Sequence, residues 1–303
     1  MELSCMTEPQ LGGTYDQLLT LARWSQSNGL HSFARSDHYY SGRDPKPDAT
    51  DAFATLAGLA RETDTIRLAV LVSPITFRHP AVIAKNAATI DQMSEGRLDL
   101  GVGTGWMEEE HAAFGLPFPD DAERWERFEE SLDYLEAAFG EGHGSFGGKH
   151  YSIDATARPK PSGLRLIIGG SGPRRTPTLA GERADEYNCL IRPADEIAAR
   201  IRVMREAAGD RPVAATVMGP ALVGRTDQEY RDRLASAASR RNISPEEMEE
   251  RYVSAGIPVG PPSRAAEAIA ALKEAGVERW YVQWLEPEDP DGFAATIEAI
   301  RGD

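Results

Sequence analysis

Along the chain, short runs of apolar and β-branched residues alternate with longer stretches in which apolar positions recur every three or four residues. The first pattern predicts buried strands and the second predicts amphipathic helices. Strands are expected at 3–6, 32–35, 66–72, 98–102, 164–168, 186–190, 213–217 and 280–284. Helices are expected at 15–27, 51–61, 81–93, 122–139, 194–207, 263–275 and 292–301. Asp48 and Thr50 are candidate caps for the second helix, Pro80 suits the first turn of the third, and Gly276 follows the helix that ends at Ala275.

Eight strands in this order suit a (β/α)8 TIM barrel, an α/β fold whose active site lies at the C-terminal ends of the strands. An open doubly wound sheet is the alternative. The intervals 104–163 and 219–262 are too long for simple connections, so they read as insertions carrying helices, with a short hairpin within 141–154. No change of composition marks a linker, and a single domain over 1–303 is expected.

Charge narrows the partners. Forty-eight acidic against thirty-three basic residues give a formal charge of −15, which opposes nucleic acid and anionic membranes. Cys5 and Cys189 stand far apart and match neither a zinc spacing nor a disulfide framework. The first residues, MELSCMTEPQ, lack the basic and apolar regions of an export signal, and no apolar run nears the ~18 residues that span a bilayer. Cytoplasmic residence without membrane insertion is therefore expected.

Candidate chemistry gathers at the strand ends. The fourth strand opens into Gly101, Gly103 and Gly105, followed by Trp106, in G-x-G-x-G spacing that departs from the dinucleotide fingerprint. Such glycines expose backbone N–H groups and admit a planar or phosphorylated ligand. The fifth strand ends at Gly169-Gly170-Ser171-Gly172 with Arg174 and Arg175 beyond, an arrangement suited to a phosphate at a helix N-terminus. Ser171 does not sit in the G-x-S-x-G pattern of a hydrolase elbow. After the second strand, Asp37 and His38 precede the rings of Tyr39 and Tyr40; a histidine there can pass a proton or hydrogen bond to a bound heterocycle. Glu108, Glu109 and Glu110 read as solvated carboxylates at a helix start. The six histidines show no metal-binding spacing, so no metal is expected.

These pieces together resemble the bacterial luciferase-like family of flavin and deazaflavin oxidoreductases. The most specific part is the stretch 77–119, FRHPAVIAKNAATIDQMSEGRLDLGVGTGWMEEEHAAFGLPFP, supported by SDHYY and IIGGSG. The resemblance implies a TIM-like barrel with insertions, a homodimer, and a flavin-type cofactor at the strand ends. SDHYY with SPITFRHPAVIAK is most similar to the branch using coenzyme F420, with flavin mononucleotide (FMN) as the alternative. By the same resemblance, His38 and Glu8 are the expected catalytic acid/base residues. Asp37, Thr104 and Gly105 are expected at the cofactor ring, Gly169, Gly170, Ser171 and Gly172 at its phosphate, and a non-proline cis bond between Val70 and Leu71 behind the ring. The family's sugar-phosphate dehydrogenases carry tryptophan where Gly42 stands and glutamate where Trp106 stands. Their catalytic pair is missing, and Trp106 with Tyr40 suggests an apolar pocket for another small organic substrate. The leading expectation is an F420-dependent oxidoreductase that transfers a hydride. An FMN-dependent monooxygenase and a noncatalytic cofactor carrier are the alternatives.

Overall fold

The computed structural model describes residues 1–42 and 48–302. Eight strands form a closed barrel: β1 (Glu2–Thr7), β2 (Ser32–Arg35), β3 (Arg67–Pro74), β4 (Leu98–Gly103), β5 (Arg165–Gly169), β6 (Glu186–Leu190), β7 (Ala214–Gly219) and β8 (Arg279–Trp284). Each pairs in parallel with its neighbours in the chain, and β8 returns to β1 from Glu2 opposite Arg279 to Thr7 opposite Trp284. The expected barrel is the observed one.

Side-chain alternation along each strand sorts the sequence into two cores. Leu68, Val70, Leu100, Val102, Val217 and Val282 pack with the helices outside the barrel. Met6, Ala34, Ala69, Leu71, Ile167 and Tyr281 form a separate cluster in the lumen. Burial on both faces explains why β3 reads as an unbroken apolar run. Below the lumen cluster lies a charged floor, where Arg67 meets Asp99 at 2.7 Å and Arg279 meets Glu186 at 2.6 Å and Glu2 at 2.8 Å.

Three local expectations need correction. The cis bond lies one residue later than expected, between Leu71 and Val72. Pairing with β4 shifts register between Val70 and Ser73 and then resumes, which carries β3 on to Pro74. The second helix, Ala52–Glu62, is capped by Asp51, whose carboxylate accepts the Ala54 N–H at 2.9 Å. Asp48 and Thr50 do not cap it; Thr50 instead accepts from the buried Arg35 guanidinium at 2.8 Å, tying this connection to β2.

The first long interval contains a short helix (Glu108–Phe114), a longer one (Asp121–Phe139) and an antiparallel hairpin of Gly144–Gly147 with Ser152–Ala155. The Glu130 carboxylate anchors the hairpin by accepting the N–H groups of Lys149, His150 and Tyr151 at 2.7–3.0 Å. In the second interval, helices Asp227–Arg241 and Pro245–Ser254 share a small core with Leu222 and Val259. Among the described residues, no helix is long and apolar enough to cross a membrane.

Candidate active site

At the C-terminal ends of the strands lies a cavity of about 540 Å³. Glu8, beyond β1, and His38, beyond β2, line it. Leu71 and Val72 of β3 and the Thr104-Gly105-Trp106 segment after β4 form further walls. Gly169 at the end of β5, Gly170 and Ser171 beyond it, Asn188 of β6 and Arg192 add to the lining, as do Ser36, Glu110 and His111. Nine residues that the sequence nominated therefore share one cavity.

Four others do not line it. Val70 is fully buried among the outer apolar residues, because alternation along β3 turns it away from the lumen. Asp37 lies behind the wall with no side-chain exposure. Its carboxylate accepts from Ser73 Oγ at 2.7 Å and from both terminal nitrogens of Arg78, whose guanidinium also reaches Asp51 at 2.6 Å. Asp37 thus fastens β2, β3 and the following helix to one another. Gly172 falls one residue beyond the lining, and Tyr40 meets the site through its backbone N–H, which donates to Glu110 at 3.0 Å.

Glu110, read from the sequence as a solvated carboxylate, needs correction. Far from solvated, its side chain is 1 % exposed. One oxygen accepts the N–H groups of Tyr39 and Tyr40, and the other meets His38 Nδ1 at 2.8 Å. Burial works against a charged His38 ring, but the hydrogen bond and charge of Glu110 outweigh it and hold the histidine above its ordinary value. With Nδ1 committed to Glu110, Nε2 is the nitrogen available to the cavity. The adjacent His111 is also buried and bonds through Nε2 to Thr76 Oγ1 at 2.7 Å, so both inward residues of the short helix dock it on the barrel.

Glu8 is held by two side-chain amides, Gln10 Nε2 at 2.6 Å and Gln283 Nε2 at 2.8 Å. Each carboxylate oxygen receives one donor and keeps acceptor capacity. Cys189 also lines the cavity, yet burial raises its pKa, which keeps the thiol protonated and weakly nucleophilic. Trp106 is 72 % exposed at the rim and presents its ring edge-to-face with His38, centroids 5.7 Å apart.

The glycines have a packing role that the sequence did not reveal. A Cβ on Gly101 would stand 2.2 Å from the Val70 carbonyl oxygen, and one on Gly169 would stand 2.6 Å from Val72 Cγ1. They give room first to the irregular part of β3, which in turn shapes the cavity wall. Beyond Ser171, helix Arg175–Arg183 begins without a side-chain cap, leaving its first N–H groups to an anion. With Arg192 nearby in the lining, this end fits a phosphate, while the apolar wall of Leu71 and Val72 fits a planar ring. Arg175 is less available than expected, since it pairs with Glu129 at 2.9 Å and covers the Trp125 ring.

A parallel eight-stranded barrel with this cavity at its strand ends defines an α/β-barrel protein built to hold a ligand there. The chain belongs to the luciferase-like monooxygenase family, whose profile matches residues 2–279. It is similar to the F420-dependent glucose-6-phosphate dehydrogenase of Beutenbergia cavernae, with 34 % identity over 175 residues, covering 57 % of this chain and 52 % of that protein. The chain thus spans about half the length of that relative. The enzyme of the same description from Nakamurella multipartita is 28 % identical over 293 residues, 94 % of this chain and 82 % of the relative. Among solved structures, the coenzyme F420-dependent tetrahydromethanopterin reductase of Methanopyrus kandleri shares the fold at a TM-score of 0.76 and 18 % identity, covering 99 % of this chain and 97 % of that one. The oxygenating constituent of 3,6-diketocamphane monooxygenase from Pseudomonas putida, in complex with FMN, does so at 0.78 and 21 %, covering 99 % and 96 %.

Proposed function

We propose that the protein is an F420-dependent oxidoreductase acting on a small organic substrate. The observation that carries this reading is the His38–Glu110 pair facing, with Glu8, into the cavity of a luciferase-like barrel. When bound, the deazaflavin supplies a two-electron hydride carrier. Leu71, Val72, Thr104 and Gly105 hold its ring, and Gly169, Gly170, Ser171 and Arg192 hold its phosphate. His38 keeps a proton or a hydrogen bond ready at Nε2, its charge backed by Glu110. Glu8, fixed by Gln10 and Gln283, serves as the second acid/base. The curated relatives named above support the choice of F420.

Glucose 6-phosphate is disfavoured as the substrate, although those relatives are named for it. Gly42 and Trp106 replace the tryptophan and glutamate of the sugar-phosphate enzymes, and the exposed Trp106 ring favours an apolar, flat substrate. Cytoplasmic residence and a homodimer complete the proposal. Two free, buried cysteines support the first, and the family resemblance supports the second.

Binding tests the reading directly. Oxidised F420 is expected to raise the melting temperature of the purified protein more than FMN at equal concentration. Tight FMN binding without F420 binding would overturn the choice in favour of a flavin monooxygenase. F420 binding that survives His38→Ala, with no turnover over a broad panel of carbonyls, alcohols and imines, would favour a carrier.

A further inference from the structure

Asn188 is 4 % exposed, sits in the middle of β6 and lines the cavity. Its Nδ2 donates to Thr216 Oγ1, on the neighbouring β7, at 2.9 Å. The Thr216 hydroxyl has two acceptors within reach, Glu186 Oε1 at 2.8 Å and the Tyr187 carbonyl at 3.1 Å. The other Glu186 oxygen is taken by Arg279 Nη1 at 2.6 Å. These contacts form a buried file from the barrel floor to the cavity, and its direction is set by proton counting.

A hydroxyl carries one proton and two lone pairs. Arg279 can only donate, so Glu186 Oε2 accepts from it; burial pushes the Glu186 pKa up to about 7, and with either protonation state of Oε1 the Tyr187 carbonyl can take the single proton of Thr216. Thr216 therefore meets Asn188 with a lone pair. The amide must turn its NH2 toward Thr216, which leaves Oδ1 on the opposite side. Among the described residues no protein donor meets that oxygen, so Asn188 offers an acceptor to the cavity it lines. A ligand that displaces water from this acceptor without supplying a donor loses a hydrogen bond there. His38 Nε2, the Ser171 hydroxyl and Arg192 can donate to ligand carbonyls and phosphates, and Glu8 already receives two amide donors.

We propose that Asn188 is a cofactor-binding residue whose Oδ1 accepts the imide N–H of the pyrimidinedione ring shared by deazaflavins and flavins, and that Thr216 is a positioning residue that fixes the direction of its amide. This rests on the reading that the cavity holds such a ring. Thr216 does not line the cavity. It acts by keeping the amide from turning its NH2 into the cavity, where it would face the ring N–H donor to donor.

The test measures dissociation constants of oxidised F420 and of FMN by fluorescence, with circular dichroism to verify the fold, for wild type, Asn188→Leu, Asn188→Asp and Thr216→Val. Asn188→Leu removes the acceptor and is expected to weaken the tighter-binding cofactor about ten-fold, the equivalent of one lost hydrogen bond. Asn188→Asp keeps an acceptor for the ring but loses the NH2 that donates to Thr216, so it should bind more tightly than Asn188→Leu and more weakly than wild type. Thr216→Val makes no ligand contact but should weaken binding several-fold, because the Asn188 NH2 then loses the acceptor that holds it and the amide can turn. A spectroscopic signature accompanies these shifts: the bound ring should keep its imide proton to higher pH in wild type than in Asn188→Leu. Should the leucine variant not fold, Asn188→Ala gives the same contrast. Wild-type affinity in a folded Asn188→Leu or Asn188→Ala protein would overturn the inference and leave the cofactor reading standing. Wild type that binds neither F420 nor FMN would overturn the cofactor reading and the inference with it.

Discussion

Replacing Glu110 with glutamine tests the histidine pair at its physical root. The substitution keeps the shape of the side chain, and its oxygen can still accept the Tyr39 and Tyr40 N–H groups. Opposite His38 Nδ1, however, it places an NH2 that can only donate. Nδ1 must then become the acceptor, which drives the remaining ring proton to Nε2. In the native protein, burial opposes the charged ring and Glu110 outweighs that burial, holding the His38 pKa above its ordinary 6.5. Without the carboxylate, burial is left in command. A hydrogen bond to a charged group is worth about 1.5–3 kcal/mol and one pKa unit about 1.4 kcal/mol, so the His38 pKa should fall by about one to two units. Imidazole resonances followed by NMR across the pH range, with the His38 signal assigned by its loss in His38→Gln, read this shift. Stability gives a second readout with a definite sign. A histidine raised in the folded state stabilises most below its unfolded pKa, and that contribution disappears as pH rises through the folded value. Wild type should therefore exceed Glu110→Gln in melting temperature most in mildly acidic solution, with the gap narrowing as the pH rises past the raised pKa. An unchanged His38 titration in a folded variant would refute the reasoning.

Further expectations follow from the surrounding contacts. Asp37→Asn leaves the Arg78 guanidinium with Asp51 as its remaining carboxylate partner and should cost about 3 kcal/mol in chemical denaturation, the lower end for a broken buried ion pair. A loss near zero would mean that Asp37 does not fasten the strand ends. Trp106→Ala should change stability by less than about 0.5 kcal/mol, because the ring is largely exposed, while weakening flat apolar ligands measured by titration. Gly101→Ala forces a methyl against the Val70 carbonyl oxygen and should cost about 1–3 kcal/mol or more, read as a lowered melting temperature. Wild-type stability there would show that β3 can yield.

The barrel was legible because it rests on local patterns: apolar strands such as 98–102 and helices with a clear apolar stripe carry their own period. The order of elements then left few arrangements. Finer choices depended on tertiary partners. Asp51 rather than Thr50 caps the second helix because Arg35, buried on β2, claims Thr50. Glu110 was unreadable because its helix, Glu108–Phe114, is too short for periodicity to say which of three successive glutamates turns inward. Its partner His38 lies 72 positions away in sequence, as distant contacts leave no local trace. Asp37 was expected at the cofactor ring by family resemblance, yet it lies behind the cavity wall, tied to Arg78. Asn188 passed unnoticed inside a short strand, since the role proposed for it rests on its contact with Thr216 across β6 and β7, which leaves no mark on the sequence.

The glycines facing β3 have one more consequence. Because Gly101 and Gly169 make room in the strands themselves, the shape of the inner chamber is set by the same hydrogen-bonded backbone that closes the barrel. Trp106, by contrast, stands on the connection that follows β4. Inheritance can therefore treat the two parts separately: an exchange in that connection can retarget the protein to a new compound while the inner chamber passes unchanged from one descendant to the next.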